Sequence, residues 1–371
     1  VFLMGGLFLG ARATIQRVER QGFVEAGQLV QAAQEMESQA QKAPTADARR
    51  QFYNQALEQL RKAQRQDPTN TEATALLNRI QATLTRLDAA YELTALRTLV
   101  DFATYTGTTT LIRGLVYQGD GFYILDKSGD RIFQVPLPDP RDQGQSPIPT
   151  TLLQPQGNAR RNLVSLVWMP QGGSWPRDSL LALDSNRGLQ EFRPNAEPRP
   201  LPLRGAQDWA SFQTAAGFEG NLYILDPKAS QVWRYVPTDN GFDSERRAAL
   251  PSVDLRDALD LVIDGDVYLL LRDGKVLKFS NGRPHPFSQD GLDRPLLRPV
   301  ALFADPATKA LYVADAGNNR IVVFNKADGK FLRQYLLPDA TAVYDLWVDE
   351  GQGALFMVGD ARLYLAKMPP G

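Results

Sequence analysis

Tyr312-Val313-Ala314-Asp315-Ala316-Gly317-Asn318-Asn319-Arg320-Ile321-Val322-Val323-Phe324 reads as a strand, a tight polar turn and a second strand. The first run is apolar and ends in Asp. Gly and Asn then supply residues that tolerate turn geometry, and β-branched residues resume the extended chain. The same grammar recurs on both sides. Its cores are Tyr123-Ile124-Leu125-Asp126, Leu181-Ala182-Leu183-Asp184, Tyr223-Ile224-Leu225-Asp226, Tyr268-Leu269-Leu270-Leu271, the Tyr312 segment, and Leu355-Phe356-Met357-Val358. Their starts lie 58, 42, 45, 44 and 43 residues apart.

A period near that length is the period of a propeller blade, and the flanking sequence supplies four strands per repeat. Blade one takes strands at 115–117, 121–125, 131–135 and 150–153, and blade five takes 300–303, 310–314, 320–324 and 331–336. In blade three the innermost strand is read at 211–214. Blade six offers only 344–348, 354–358 and 361–365 before the chain ends. An incomplete blade would leave an exposed edge, so the alternating stretch near 96–102 is assigned to close the ring. The fold class that follows is mainly β, a six-bladed β-propeller with an N-terminal α-helical arm. The expected division is a stub at 1–11, the arm at 12–92 and the propeller at 93–371.

The Tyr312–Phe324 stretch resembles the NHL repeat, and Asp126-Lys127-Ser128-Gly129-Asp130-Arg131-Ile132 is a looser version of it. In such a turn Asp315, Asn318 and Asn319 bond local backbone, Gly317 admits a positive φ and Arg320 braces the hairpin. The resemblance implies a rigid ring with variable loops on two faces. NHL-like and related six-bladed propellers include metal-dependent lactonases, lyases acting on modified peptides and enzymes of the strictosidine synthase type. Others only bind peptide, protein, RNA or glycan.

The arm has a different texture, rich in Ala, Gln, Leu, Arg and Glu. Ile15, Val18, Phe23, Val24, Leu29 and Val30 mark one helix, with Gly22 as a place where it could bend. Lys42-Ala43-Pro44 stops that helix, and Thr45 is positioned to cap the next. Ala56, Leu60, Ala63 and Pro68, then Ala73, Leu76, Leu77 and Ile80, predict two antiparallel helices joined near Pro68. Residues 49–82 resemble the second helix of one tetratricopeptide repeat and the first of another. One such unit cannot form the concave surface of a stacked array.

Composition removes much chemistry. The formal charge is -1, so no general attraction for nucleic acid is expected. There is no Cys, which excludes disulfides, thiolate nucleophiles and Cys-based zinc sites, and the single His285 lies in a turn-like stretch. No phosphate-binding loop or serine elbow is present. The opening VFLMGGLFLG is apolar but only ten residues long, against the roughly 20 that cross a bilayer. It is read as the end of a transmembrane helix continuing N-terminal to Val1, followed by Arg12, Arg17 and Arg20. The expected location is membrane-anchored with an extracytoplasmic propeller, and the alternative is a soluble cytoplasmic protein. The arrangement resembles bacterial membrane proteins that hold a propeller as sensor or scaffold.

Candidate site residues come from the innermost strands. Gly114-Leu115, Ser165-Leu166, Ser211-Phe212, Asp260-Leu261, Ala301-Leu302 and Asp345-Leu346 form a common register around the axis. Asp260 and Asp345 are its charged members, with Arg113 and Arg298 close in sequence. They form either a cation site or an internal ion-pair network. No cofactor is expected, and calcium is the cation two carboxylates would suit, although a full site needs six or more oxygens. Trp168, Trp209, Trp233 and Trp347 read as blade packing, while Trp175, in a loop, is the aromatic contact candidate. The leading expectation is a non-catalytic binding module for a protein, peptide or glycan on a propeller face, not an enzyme. The alternative is a cation-dependent, lactonase-like hydrolase or lyase with its site in the channel.

Overall fold

The computed structural model describes residues 2–106, 112–119, 121–137, 146–155, 160–193, 196–339 and 341–369. The chain divides into two compact units, residues 1–90 with 291–293, and residues 91–290 with 294–371.

The first unit is built on three helices, α1 (Phe2–Lys42), α2 (Ala46–Gln66) and α3 (Thr71–Leu87). Thr45 caps α2 by accepting from the Ala48 N–H, and Asn70 caps α3 by accepting from the Ala73 N–H. Each cap satisfies one of the N–H groups that a helix start leaves without a partner. Small and branched residues alternate in the shared core, where Ala56, Leu60, Ala63, Ala73 and Ile80 are fully buried. Gly22 does not interrupt α1. A Cβ there would lie 3.3 Å from the Gln66 carbonyl oxygen, so this glycine serves close approach to α2.

The apolar opening is continuous with α1, which runs through the Arg-bearing sequence to Lys42. Among the described residues no helix is long and apolar enough to cross a membrane. The expectation of anchoring through a transmembrane helix is corrected accordingly.

The second unit is a ring of six antiparallel sheets, a six-bladed propeller. The central strand of each blade is a nearly continuous apolar run. Gly121–Asp126, Asn221–Asp226 and Ala310–Asp315 are buried at every residue, because blades stack on both faces of these strands. Blade six takes Leu96–Asp101 as its outermost strand, paired with Arg362–Lys367, and Arg362 bonds Asp101 at 2.9 Å. The segment that leads into blade one thereby completes the sheet of blade six. Blade five carries a fifth strand, Ala90–Glu92, which the sequence reading lacks.

The Asp that ends the second strand is a hub for the turn beside it. Asp226 accepts from the backbone N–H groups of Ala210, Ser211 and Ala229, and from Ser211 Oγ. In blade five, Asp315 accepts from the Leu297 N–H, from Asn318 Nδ2 and from Arg320 Nε. Arg320 also donates to Gln334 and to the Arg294 carbonyl, and both Asp315 and Arg320 are fully buried. Asn319, not Gly317, takes the positive φ, at 52°. Gly317 is required for another reason, because a Cβ there would collide with the Leu297 backbone.

Candidate functional site

The innermost strands enclose a channel with a cavity of about 1280 Å³. Five of the register positions expected around it fall as read: Gly114, Ser165, Asp260, Ala301 and Asp345 each sit near the start of an inner strand. In blade three the position belongs to Thr214, which pairs with Leu225 just before the hub Asp226. Ser211 lies in the preceding turn, held by Asp226, and the register assigned to Ser211-Phe212 is corrected to Thr214-Ala215. Counting back from Asp226, as from Asp126 to Gly114 in blade one, would have found it.

Asp260 and Asp345 both line the channel. Asp260 accepts from the Leu302 N–H of blade five at 2.7 Å and from its neighbour's Leu261 N–H at 2.9 Å. Asp345 does the same two seams further round, accepting from the Leu115 N–H of blade one at 3.0 Å and the Leu346 N–H at 2.9 Å. Each carboxyl thus spans two adjacent inner strands.

Burial raises the proton affinity of both groups. Asp260 is pushed up to about 6, with the Leu302 and Leu261 N–H groups acting against the shift. Asp345 is pushed up to about 8 by burial first and by the charge of Asp260 second. The backbone donors at Leu115 and Leu346, and Lys127, pull the other way. Near neutral pH the coupled pair therefore keeps a proton that two ordinary carboxyls would have lost.

Arg298 lines the same cavity and is exposed at its mouth. The side chain of Arg113, in the strand Ile112–Gln118, lies outside the described residues. Lys127 and Arg272 also line the channel and were missed in the sequence, where each merely follows the end of a second strand. Trp175 offers no contact surface. It is 3% exposed, stacks on Phe242 at 5.2 Å and donates its indole N–H to Ser179 Oγ. A Pro-flanked loop reads as exposed in sequence, but here it folds back onto blade three. The lone His285 is exposed on the outer strand Arg283–His285 of blade four.

A cation does not fit this donor set. Among the described residues no three His, Cys, Asp or Glu side chains come together to hold a metal. All four oxygens of Asp260 and Asp345 already accept backbone N–H groups. The calcium expectation has no third acidic ligand to rest on.

No protein-family profile matches this sequence. No curated protein matches it either. Among solved structures, the chain is similar to a gluconolactonase from Xanthomonas campestris, with 16% identity and a TM-score of 0.52, over 74% of this chain and 89% of that one. It also aligns with the Pan2 WD40 domain of Neurospora crassa, at 11% identity and a TM-score of 0.43, over 70% and 76% of the two chains. The first likeness shows the propeller fold. Because that protein is an enzyme, the expectation that this chain is not one is withdrawn: the architecture gives it no support.

Proposed function

We propose that the propeller admits a small polar ligand to its channel and that Asp260 and Asp345 act on it as a base and an acid. The observation that carries this reading is the pair itself. Two carboxyls in one ring of channel positions have their proton affinities raised by burial, and the charge of Asp260 raises that of Asp345 further. That separation is what divides acid from base roles between like groups. Hydrolysis of a cyclic ester is the reaction to test first, supported by the fold shared with a gluconolactonase. Asp260 would take a proton from water as its oxygen adds to the carbonyl carbon. Asp345 would give its proton to the ring oxygen as the carbon–oxygen bond breaks. No step requires a metal. The NHL-like turn of blade five fits this reading as scaffold: its polar side chains bond each other and nearby backbone.

The test is hydrolysis of glucono-δ-lactone and a panel of other lactones, followed by proton release. The expected profile of kcat/KM is a bell with limbs near about 6 and about 8. Asp345→Asn and Asp260→Asn are each expected to lose about 100-fold or more in kcat, the usual scale of general acid–base catalysis. Absence of turnover across the panel, or full turnover in both variants, would defeat the proposal.

One observation favours a second reading. One oxygen of each carboxyl is engaged across a seam, between blades four and five or between blades six and one, and the other accepts from its own strand. On that reading the carboxyls are clasps, and a ligand such as a protein, peptide or glycan binds a face of the ring. The Asn variants would then lose stability without changing binding or turnover.

A further inference from the structure

One level of the channel carries a backbone N–H from each inner strand. The groups belong to Leu115, Leu166, Ala215, Leu261, Leu302 and Leu346, each the residue after its strand's register position. All of these residues line the cavity. The carboxyl of Asp260 takes the N–H groups of Leu261 and Leu302, and that of Asp345 takes those of Leu346 and Leu115. Each carboxyl is a clasp across a seam, between blades four and five or between blades six and one. The alternate seam that would complete this pattern lies between blades two and three. Its donors are Leu166 and Ala215, and the residue in the clasp position is Ser165, whose side chain stops short of a carboxyl.

The pairing turns both donors away from their own sheets. In blade three the turn Glu219-Gly220 has φ of 46° and 74°, which closes a two-residue hairpin on the pair Phe218 and Asn221. Hydrogen-bonded pairs alternate back from there through Ala216 and Thr214, so Ala215 presents its N–H and carbonyl at the free edge. In blade two the register shifts between Leu163 and Ser165 and sets Leu166 opposite Ala182. Blade one shifts in the same way and sets Leu115 opposite Ile124, and the Leu115 N–H is bonded from the edge by Asp345. Ser165 Oγ meets the Leu166 carbonyl at 3.5 Å, which puts the polar groups of Leu166 on the same edge. Among the described residues no side chain accepts from the N–H of Leu166 or Ala215, and that long contact is the only bond found for the Ser165 hydroxyl, on a residue 8% exposed. One carboxyl spans the equivalent donors at each of the other two seams, so the shared register brings Leu166 and Ala215 within reach of one carboxyl group.

We infer that the channel's ligand places a carboxyl-derived oxygen at the seam between blades two and three, held by the N–H groups of Leu166 and Ala215 and by the Ser165 hydroxyl. A bound acid would set its carboxylate where Asp260 and Asp345 set theirs at the other seams. A lactone would set its carbonyl oxygen there, and the donors would hold the negative charge that oxygen gains as water adds. The inference rests on the channel being the ligand site and names the group its ligand must carry.

The test is a titration of the full chain, isotope-labelled at leucine and alanine, with gluconate and with sorbitol, which lacks the carboxylate. Gluconate is expected to move the amide protons of Leu166 and Ala215 downfield and to leave those of Leu302 and Leu346, already held, in place. Sorbitol should move none of them. Ser165→Ala should raise the Kd for gluconate about tenfold, as for loss of one hydrogen bond to a charged group. Ser165→Asp brings the chain's own carboxylate to the seam and should abolish gluconate binding. If Ser165→Asp fails to fold, the amide shifts and Ser165→Ala still decide. Gluconate that shifts neither amide, equal binding of sorbitol, or Ser165 variants that fold and bind gluconate as the parent does would overturn the inference. Lactone turnover unchanged in a folded Ser165→Asp chain would overturn it and leave the acid–base reading intact. Gluconate held at Leu166 and Ala215 without turnover of any lactone would uphold it and defeat the hydrolase.

Discussion

Asp315 in blade five and Asp345 in blade six each begin or end a blade strand and each accepts a backbone N–H from a neighbouring segment. Their surroundings then diverge. Asp315 is wholly buried with the Arg320 guanidinium at 2.7 Å and Asn318 beside it. Asp345 faces the channel with another carboxyl as the charge that raises its proton affinity. The first carboxylate has its charge answered on the spot and serves to fix a turn. The second is left short of compensation and so remains available to change protonation state. The difference separates structural from chemical acids more sharply than burial does, because burial raises the cost of charge at both positions.

The largest test of this contrast removes the compensation at Asp315. Arg320→Met should destabilise the propeller by about 3–5 kcal/mol, since it leaves a buried carboxylate without its cation. Urea unfolding would measure it. A loss below about 1 kcal/mol would mean that Asn318 and the backbone suffice.

A smaller effect is expected at the channel, and it depends on pH. Asp260 and Asp345 hold protons more tightly folded, at about 6 and about 8, than at the ordinary carboxylate value of 3.8. Between about pH 4 and pH 8 the folded chain therefore binds more protons than the unfolded chain. Stability from these groups must fall as pH rises through that window, with the full penalty present above about 8. The melting temperature should drop by about 3 °C or more from pH 5 to pH 8, given about 2–4 °C per kcal/mol for a domain of this size. Asp345→Asn should flatten that slope. Parallel melting profiles for parent and variant would show that Asp345 does not titrate in the window.

The smallest effect belongs to a third setting, the exposed bidentate pair Arg79–Glu37 in the helical unit. Glu37 raises the affinity of Arg79 for its proton through a hydrogen bond and then by charge. Arg79 is 61% exposed and solvent screens the pair from its side, so Arg79→Ala should cost no more than about 0.5–1 kcal/mol in thermal unfolding. A cost matching that of Arg320→Met would break the rule that compensation matters most where water is excluded.

How much of this was legible in sequence follows the range of the interactions. Tyr312–Phe324 announces a strand, a turn and a strand because each step is local. Asp315, Asn318 and Asn319 bond within a few residues or across one hairpin, and their turn chemistry can be read directly. Asp260 and Asp345 were visible as charged residues in a register of small ones. Thr214 was not, because the blade three strand starts later than its apolar sequence suggests and Ser211 occupies a plausible place in the turn. Trp175 misled for the opposite reason: its loop composition signals exposure, but its indole is covered by Phe242 from the next blade.

By itself the sequence determined the repeat, the number of blades and the strand shortfall in the last one, since periodic apolar runs and turn residues are properties of neighbours along the chain. Only the tertiary structure decided which groups share the channel. Lys127 and Arg272 stand on different blades from Asp345 and Arg298, and each looks like an ordinary turn residue where it stands. Ring closure brings them to one axis and partly buries the carboxyls between them. The proton affinities of those carboxyls are set by that enclosure and by their proximity, neither of which any local stretch of sequence contains.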